Sequence, residues 1–554
     1  MILLTLALLI LAGCSKKSGP PVQATSSDPP AALKPARQLP PVRPANPVGV
    51  YTYHNDLART GLNPNETILT PENVNSRSFG KKFAVPVDGQ IYAQPLYVPD
   101  VSIPGGTIHN VVHVATQNNS VYAFDADQEG PPLWHRSLLE GGTPVPASDY
   151  GCDQILPQMG ITGTPVIDPA TNTLYVLAMV KHVTPDGPVY AHRLHALDIA
   201  TGEEKFGGPV TIAGSVSGIG AGQVNRVLSF EAFPHLNRPG LALANGVIYI
   251  AFGSHCDLGT FHGWLFAYNA GKPGMPALGA VRPLTLRASF NTTRNGIWGS
   301  IWQAGGAPAV DGEGHVFVMT SNGTFNATDY GDSFVKLTLG EKSLRPIDSF
   351  TPYDQKLLED QDLDLGSSGP ILLPDQPGSH PHLMVGADKR GAIYVLNRDR
   401  MGGYHRRHDQ IVQSIRGAVS PIFTTGAYWN GNVYFGGLGD VLKAFCLING
   451  RLSTEAVTRS SNKFDYPGTS PSISADGAQN AIVWALQADQ YYAKGPAILH
   501  AYDANDLSHE LYRSGQAGAG DVADPAVKFT TPTIADGKVF FGTQDHLDVY
   551  GLLR

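Results

Sequence analysis

A chain of 554 residues with a formal net charge of -8 and only 16 % charged residues presents no concentrated Lys/Arg surface, which excludes phosphate-backbone recognition and hence nucleic-acid binding. Its 42 % apolar content excludes a largely disordered chain, and its 62 glycines and 43 prolines point to many short strands joined by turns.

The chain opens with an apolar run of about a dozen residues, "MILLTLALLILAGC", too short to span a bilayer. It reads as a signal peptide over residues 1–13. The ending Leu11-Ala12-Gly13-Cys14 resembles the bacterial lipobox, which implies cleavage before Cys14 and a lipid on its thiol. No Lys or Arg precedes the run, which points to a start codon further upstream. Residues 14–49 follow as a Pro-rich tether, with nine prolines between residues 15 and 49 and almost no large apolar groups, a composition that extends and builds no core. A lipid anchor on a tether holds the body at a membrane in an oxidising compartment, the periplasm or cell surface of a bacterial envelope.

From residue 50 the chain repeats. The stretch "RLHALDIATGEEKF" at residues 193–206 returns as "SVYAFDADQEGPPLW", "WLFAYNAG", "FVKLTLGEKS", "AIYVLNRDRMGGY", "VLKAFCLINGRL", "ILHAYDANDL" and "HLDVYGLL". In register, the position of Asp198 is filled by Asp125, Asp198, Asn269, Leu337, Asn397, Cys446, Asp503 and Gly551. Five of the eight are Asp or Asn, whose side chains bond to amides two residues on and so end a strand in a turn. Upstream of each lies a hairpin pattern such as "GTPVIDPATNTLYVLA" or "TTPTIADGKVFFGT", a small-residue run and a β-branched run joined across a tight turn. An aromatic-bearing segment after the turn supplies a fourth strand, as at Pro132-Leu133-Trp134 or Lys205-Phe206.

Four antiparallel strands per unit, repeated eight times, predict an all-β fold: an eight-bladed β-propeller over residues 50–554. The last unit ends after its third strand, which would leave an open edge. The lone segment "SFGKKFAVPVDG" at residues 78–89 is expected to close the ring as the outer strand of the last blade.

The pattern A-x-D-x-x-T-G-x-x-x-W/F, whole in Ala196 to Phe206 and partial elsewhere, resembles the repeat of the quinoprotein (pyrroloquinoline quinone, PQQ) propellers, a family of PQQ-dependent alcohol dehydrogenases and non-enzymatic relatives. The lead-in "YTYHNDLARTGLNPNETILTPENV" is similar to that of the dehydrogenases. Their funnel holds PQQ with Ca²⁺, because a polyanionic quinone calls for a hard divalent cation and a cationic side chain. The resemblance of "ADKRGAIYVLNR" implies Lys389 as the basic residue near the quinone, and that of "TSNGTFN" implies Asn322 as a calcium ligand. No match is found for the family's calcium-binding Glu, its catalytic Asp or its disulfide of adjacent cysteines, so no catalytic residue is assigned.

Two constellations stand apart from the resemblance. "GSHCDLGTFHGW" puts His255, Asp257 and His262 within eight residues, which reads either as a metal site or as a hydrogen-bonded loop. Cys152 precedes the second blade and Cys256 lies in the third, and an oxidising compartment permits a disulfide between them. The expected role is a lipid-anchored binding or scaffold module for an envelope protein or a small ligand. The alternative is a periplasmic PQQ- and calcium-dependent alcohol dehydrogenase. Convergence of Lys389, Asn322 and a carboxylate such as Asp153, Asp257 or Asp332 on one funnel separates the two.

Overall fold

The computed structural model describes residues 48–271 and 282–553. The expected signal peptide, Cys14 and all but the last two tether residues lie outside them. No helix of the described residues is long and apolar enough to cross a membrane.

Eight antiparallel blades follow one another around the ring, and in the first seven strands a to d run in chain order from the axis outward. Blade 1 runs from Leu96–Ile103 to Trp134–Ser137, blade 2 from Val166–Asp168 to Val210–Thr211, blade 3 from Ala242–Ala244 to Leu286–Asn291, and blade 4 from Ala309–Val310 to Leu344–Phe350. Blade 5 runs from Ile371–Leu372 to Gln413–Ile415, blade 6 from Ala427–Trp429 to Thr458–Phe464, and blade 7 from Ser472–Asp476 to Asp506–Arg513. Blade 8 takes strands a to c from Thr533–Ala535, Lys538–Gly542 and His546–Leu552, and its outer strand from Phe79–Pro86. The two ends of the propeller thus share one sheet, and the edge that the last unit would have left open is paired.

The recurring Asp/Asn position marks the end of strand c, as its turn chemistry predicts. Asp125, Asp198, Asn269, Asn397 and Asp503 are each the last residue of that strand. The carboxylates of Asp125, Asp198 and Asp503 accept bonds from the amides two residues on, at 2.8 to 2.9 Å. Where Leu337, Cys446 and Gly551 stand instead, strand c continues past the position. The Thr-Gly of the motif has a packing reason. Gly202 adopts φ +71°, and a Cβ there would lie 2.6 Å from the indole of Trp134 in the preceding blade.

Apolar clusters fill the seams between neighbouring blades: Tyr175 and Leu177 meet Phe252 and Phe266 between blades 2 and 3, and Ile482 and Trp484 meet Phe541 and Tyr550 between blades 7 and 8. Inner strands are therefore covered on both faces. Strand b of blade 3, "VIYIAFGS", is buried at all of its positions, which is why such strands read as continuous apolar runs without alternation.

The lead-in segment lies against the innermost strands. Val50 pairs with Tyr97 of blade 1, and the carbonyls of Tyr51, Leu57, Ala58, Thr60 and Gly61 accept from Ile167, Val310, Leu372, Tyr428 and Ile473, in blades 2, 4, 5, 6 and 7, at 2.7 to 2.8 Å. Glu66 Oε2 accepts from Gly537 of blade 8 at 3.0 Å. The innermost strand of a blade has no further blade strand on its inner side, so these contacts satisfy backbone amides that would otherwise be unpaired. Arg59, buried in the segment, donates to the carbonyls of Pro308, Tyr53 and Asp56 and to the Thr52 hydroxyl.

Candidate functional site on the funnel face

Alternation of strand direction puts every b–c loop and every connection from strand d to the next strand a on the same end of the ring. The candidate site residues come from these loops. Asn322 lies in the b–c loop of blade 4, Lys389 in that of blade 5, and Asp362 and Asp364 in the connection between those blades.

Lys389 and Asn322 meet through that aspartate pair. Lys389 Nζ donates to Asp362 Oδ2 at 2.7 Å and to Asp364 Oδ2 at 3.0 Å. Asn322 donates from Nδ2 to Asp362 Oδ1 at 3.0 Å and from its backbone amide to Asp364 Oδ1 at 3.3 Å. Its own amide oxygen, Oδ1, is buried without a hydrogen-bond partner. Burial alone would pull the Lys389 amine down, but the charges of Asp364 and Asp362 outweigh it and hold the amine above the usual lysine range. The pair was not singled out from the sequence. Their segment is a turn, in which Asp362 adopts φ +55°, so no strand-type alternation marked the two aspartates in the sequence.

Two further carboxylates border the cluster. Asp332, fully buried, accepts at Oδ1 from the Leu365 amide at 3.1 Å and so braces the aspartate loop from beneath. Loss of water around it, with the Asp364 charge adding, pushes its carboxyl well above the usual range. Asp257 is bonded to Ser254, and loss of solvation raises its carboxyl; the Asp364 and Asp362 charges push the same way. Asp153 lies elsewhere on the face, where its charge acts on Lys528.

His255, Asp257 and His262 do not meet as a ligand set. His262 is held by Thr293 Oγ1 at Nδ1 and by the Ala221 carbonyl at Nε2, at 2.8 and 2.9 Å, while His255 Nε2 donates to the His235 carbonyl at 3.1 Å and its ring stacks on Tyr150. Among the described residues only Asp311, Glu313 and His315, and Asp524, Asp545 and His546, bring three such ligand atoms together, both groups away from this loop. The stretch is the hydrogen-bonded loop of the two readings. Its cysteine is bonded to Cys152, with Cα atoms 6.0 Å apart, so the disulfide ties the connection between blades 1 and 2 to the b–c loop of blade 3.

An aromatic lining completes the face. Tyr92, Tyr150, Trp302, Phe423, Tyr466 and Phe529, from six different connections between blades, fall in one apolar cluster. Trp302, Phe423 and Tyr466 remain half-exposed, and the Lys389 amine stands 6.0 Å from the Phe423 ring centroid.

Fold and site together define an eight-bladed β-propeller with a charged, aromatic-lined funnel face. No protein-family model matches the chain, and no curated protein sequence matches it. Solved structures do. The europium-containing methanol dehydrogenase is similar at 14 % identity over 89 % of this chain and 81 % of that one, with a TM-score of 0.45. BamB from Moraxella catarrhalis is similar at 10 % identity over 85 % of this chain and 99 % of that one, with a TM-score of 0.46. Sqt1 from Saccharomyces cerevisiae is similar at 9 % identity over 86 % and 99 %, with a TM-score of 0.45. The count of eight blades rests on this chain's own strand pairing.

Proposed function

We propose that the funnel face binds an anionic quinone of the PQQ type together with a divalent cation, and that the chain is a dehydrogenase of the cell envelope, anchored through lipidated Cys14. The observation that carries this reading is the convergence of Lys389, Asn322, Asp362 and Asp364, with the Asn322 amide oxygen buried and unpartnered. Those residues suit the groups. Two carboxylates and an amide oxygen are the hard donors that Ca²⁺ takes. The Lys389 amine suits a quinone oxygen, and the half-exposed rings of Phe423, Trp302 and Tyr466 suit a planar ligand.

A bound quinone of this type supplies two-electron oxidation of an alcohol. Asp362, with a side chain 68 % exposed, is the carboxylate of the pair open to a substrate hydroxyl proton, while Asp364, at 16 %, is the more enclosed. The disulfide between Cys152 and Cys256 departs from the adjacent-cysteine bridge of the family resemblance. A second reading, a protein-binding scaffold, is supported by the b–c hairpin of blade 2, which carries Val183 and Val189 exposed at 80 % and 51 %.

The test is thermal unfolding of the full chain with PQQ, with and without Ca²⁺, since a ligand bound only by the folded state raises the melting temperature. A calcium-dependent rise that disappears in Lys389→Ala is expected. No shift at PQQ far above a plausible dissociation constant overturns the cofactor reading and leaves the scaffold.

A further inference from the structure

A second cationic centre on the funnel face takes no part in the aspartate cluster. Lys528, in the connection between blades 7 and 8, is 3 % exposed. Its Nζ stands 5.1 to 5.8 Å from the ring centroids of Tyr466, Tyr491, Tyr492 and Phe529. No hydrogen bond or ion pair to it occurs among the described residues; the one carboxylate whose charge reaches it is Asp153. Arg238 stands near the same ring: it is 1 % exposed, with its guanidinium carbon 5.5 Å from the Phe529 centroid. Arg238 donates to the carbonyls of Thr162 and Phe529 at 2.8 and 3.1 Å; among the described residues its Nε has no partner and no carboxylate pairs with it.

Two buried cations around one ring, neither neutralised, are costly in the free protein, because buried charges are ordinarily paired. Aromatic faces offset part of that cost for the amine through cation–π attraction. They offer nothing to the unpartnered Nε of Arg238. An anion entering between the two would neutralise both, and the half-exposed rings of Trp302 and Tyr466, which meet Phe529 at 5.4 and 5.9 Å, would cover a flat ligand body.

We propose that Lys528 and Arg238 form a binding site for the carboxylate of a planar aromatic acid, seated on Phe529 and walled by Tyr466 and Tyr491. The site needs neither a metal nor a quinone, and Lys389 is not part of it. Burial, with the Arg238 charge adding and Asp153 opposing, brings the Lys528 amine down to about 8, so most of it is still protonated at pH 7 and available to an anion.

The test is calorimetric titration of the full chain with 2-naphthoate, and with 2-naphthamide as its uncharged counterpart. Naphthoate is expected to bind at least about tenfold more tightly than the amide, a difference of ~1.4 kcal/mol. Lys528→Met, which keeps the stem and removes the charge, is expected to lose that preference, Lys528→Arg to keep it, and Lys389→Ala to leave it within about twofold. Equal affinity for acid and amide, or an unchanged preference in Lys528→Met, overturns the site. If Lys528→Met does not fold, the wild-type chain still decides: naphthoate must slow acetylation of Lys528 by acetic anhydride and leave that of exposed Lys356 unchanged. Unprotected Lys528 overturns the proposal. Because Lys389→Ala abolishes the calcium-dependent response to PQQ and spares naphthoate, failure of one reading is distinguishable from failure of the other.

Discussion

Lys389 is tied to Asp364 twice, by its backbone amide to the Asp364 carbonyl and by its Nζ to the Asp364 carboxylate, both at 3.0 Å. The two residues lie on different loops and are 25 positions apart, so it is the folded arrangement of blades 4 and 5 that holds them together. The amine is thereby aimed at the aspartate pair and not into solvent.

Replacing Asp364 by Asn removes one of the two negative charges at the Lys389 amine and beside Asn322 and leaves a neutral oxygen donor in its place. Calcium affinity, read by calorimetry on the full chain with the metal alone, is expected to fall at least about tenfold. Unfolding free energy is expected to change by less than about 2 kcal/mol, because a neutral amide still accepts from the Asn322 backbone. An unchanged calcium affinity would remove Asp364 from the ligand set.

Ring closure depends on a strand from the other end of the propeller. Phe79 opens that strand and is fully buried among Trp484, Tyr512 and Tyr550. Phe79→Ala is expected to cost about 3–5 kcal/mol in urea unfolding. Hydrogen exchange should show early loss of protection in His546–Leu552, the strand that pairs with it.

The disulfide joins residues 104 positions apart. Removing it as Cys152→Ser/Cys256→Ser is expected to lower stability by about 5 kcal/mol, the loop-entropy value for a closed loop of that length. Reductant should lower the wild-type melting temperature by more than it lowers that of the double variant.

Five histidines, His54, His113, His192, His235 and His255, are buried at 3 % exposure or less. Loss of solvation holds them down to about 3 or 4, far below the unfolded value near 6.5. Between those values the unfolded chain binds more protons than the folded one, so stability rises with pH across that window. The contribution is complete above pH 6.5 and is lost as pH falls, at about 1.4 kcal/mol per pH unit for each histidine. Urea midpoints measured from pH 7 down to pH 4.5 are expected to fall steeply; a flat profile would mean that these rings titrate in the folded state as they do in the unfolded chain.

Much of the architecture was legible in residue patterns. The Asp/Asn at the end of strand c bonds only to amides two residues away, so its signal is local and survives in five of eight repeats. The outer strand of blade 8 was legible by elimination, since residues 78–89 had no partner nearby and the last unit lacked a strand. Within the site, Lys389 and Asn322 were reached through a resemblance, whereas Asp362 and Asp364 were missed. Nothing local distinguishes a loop aspartate that will face a lysine from one that will face water. The same limit held for "GSHCDLGTFHGW": three ligand-type side chains lie within eight residues, yet the carbonyls of Ala221 and His235 and the Thr293 hydroxyl hold the two imidazoles apart.

By itself the sequence determined the repeat, its four strands, the count of eight and the closing strand, because turns and hydrophobic runs act over a few residues and recur. Tertiary structure alone decided which loop residues meet. It brought Lys389 against Asp362 and Asp364, and it set Lys528 and Arg238 near Phe529 with no ion pair to either among the described residues. The alternating direction of the strands carries loops from distant parts of the chain to one end of the ring, where charge and burial act on whatever the closing circle brings within a few ångströms.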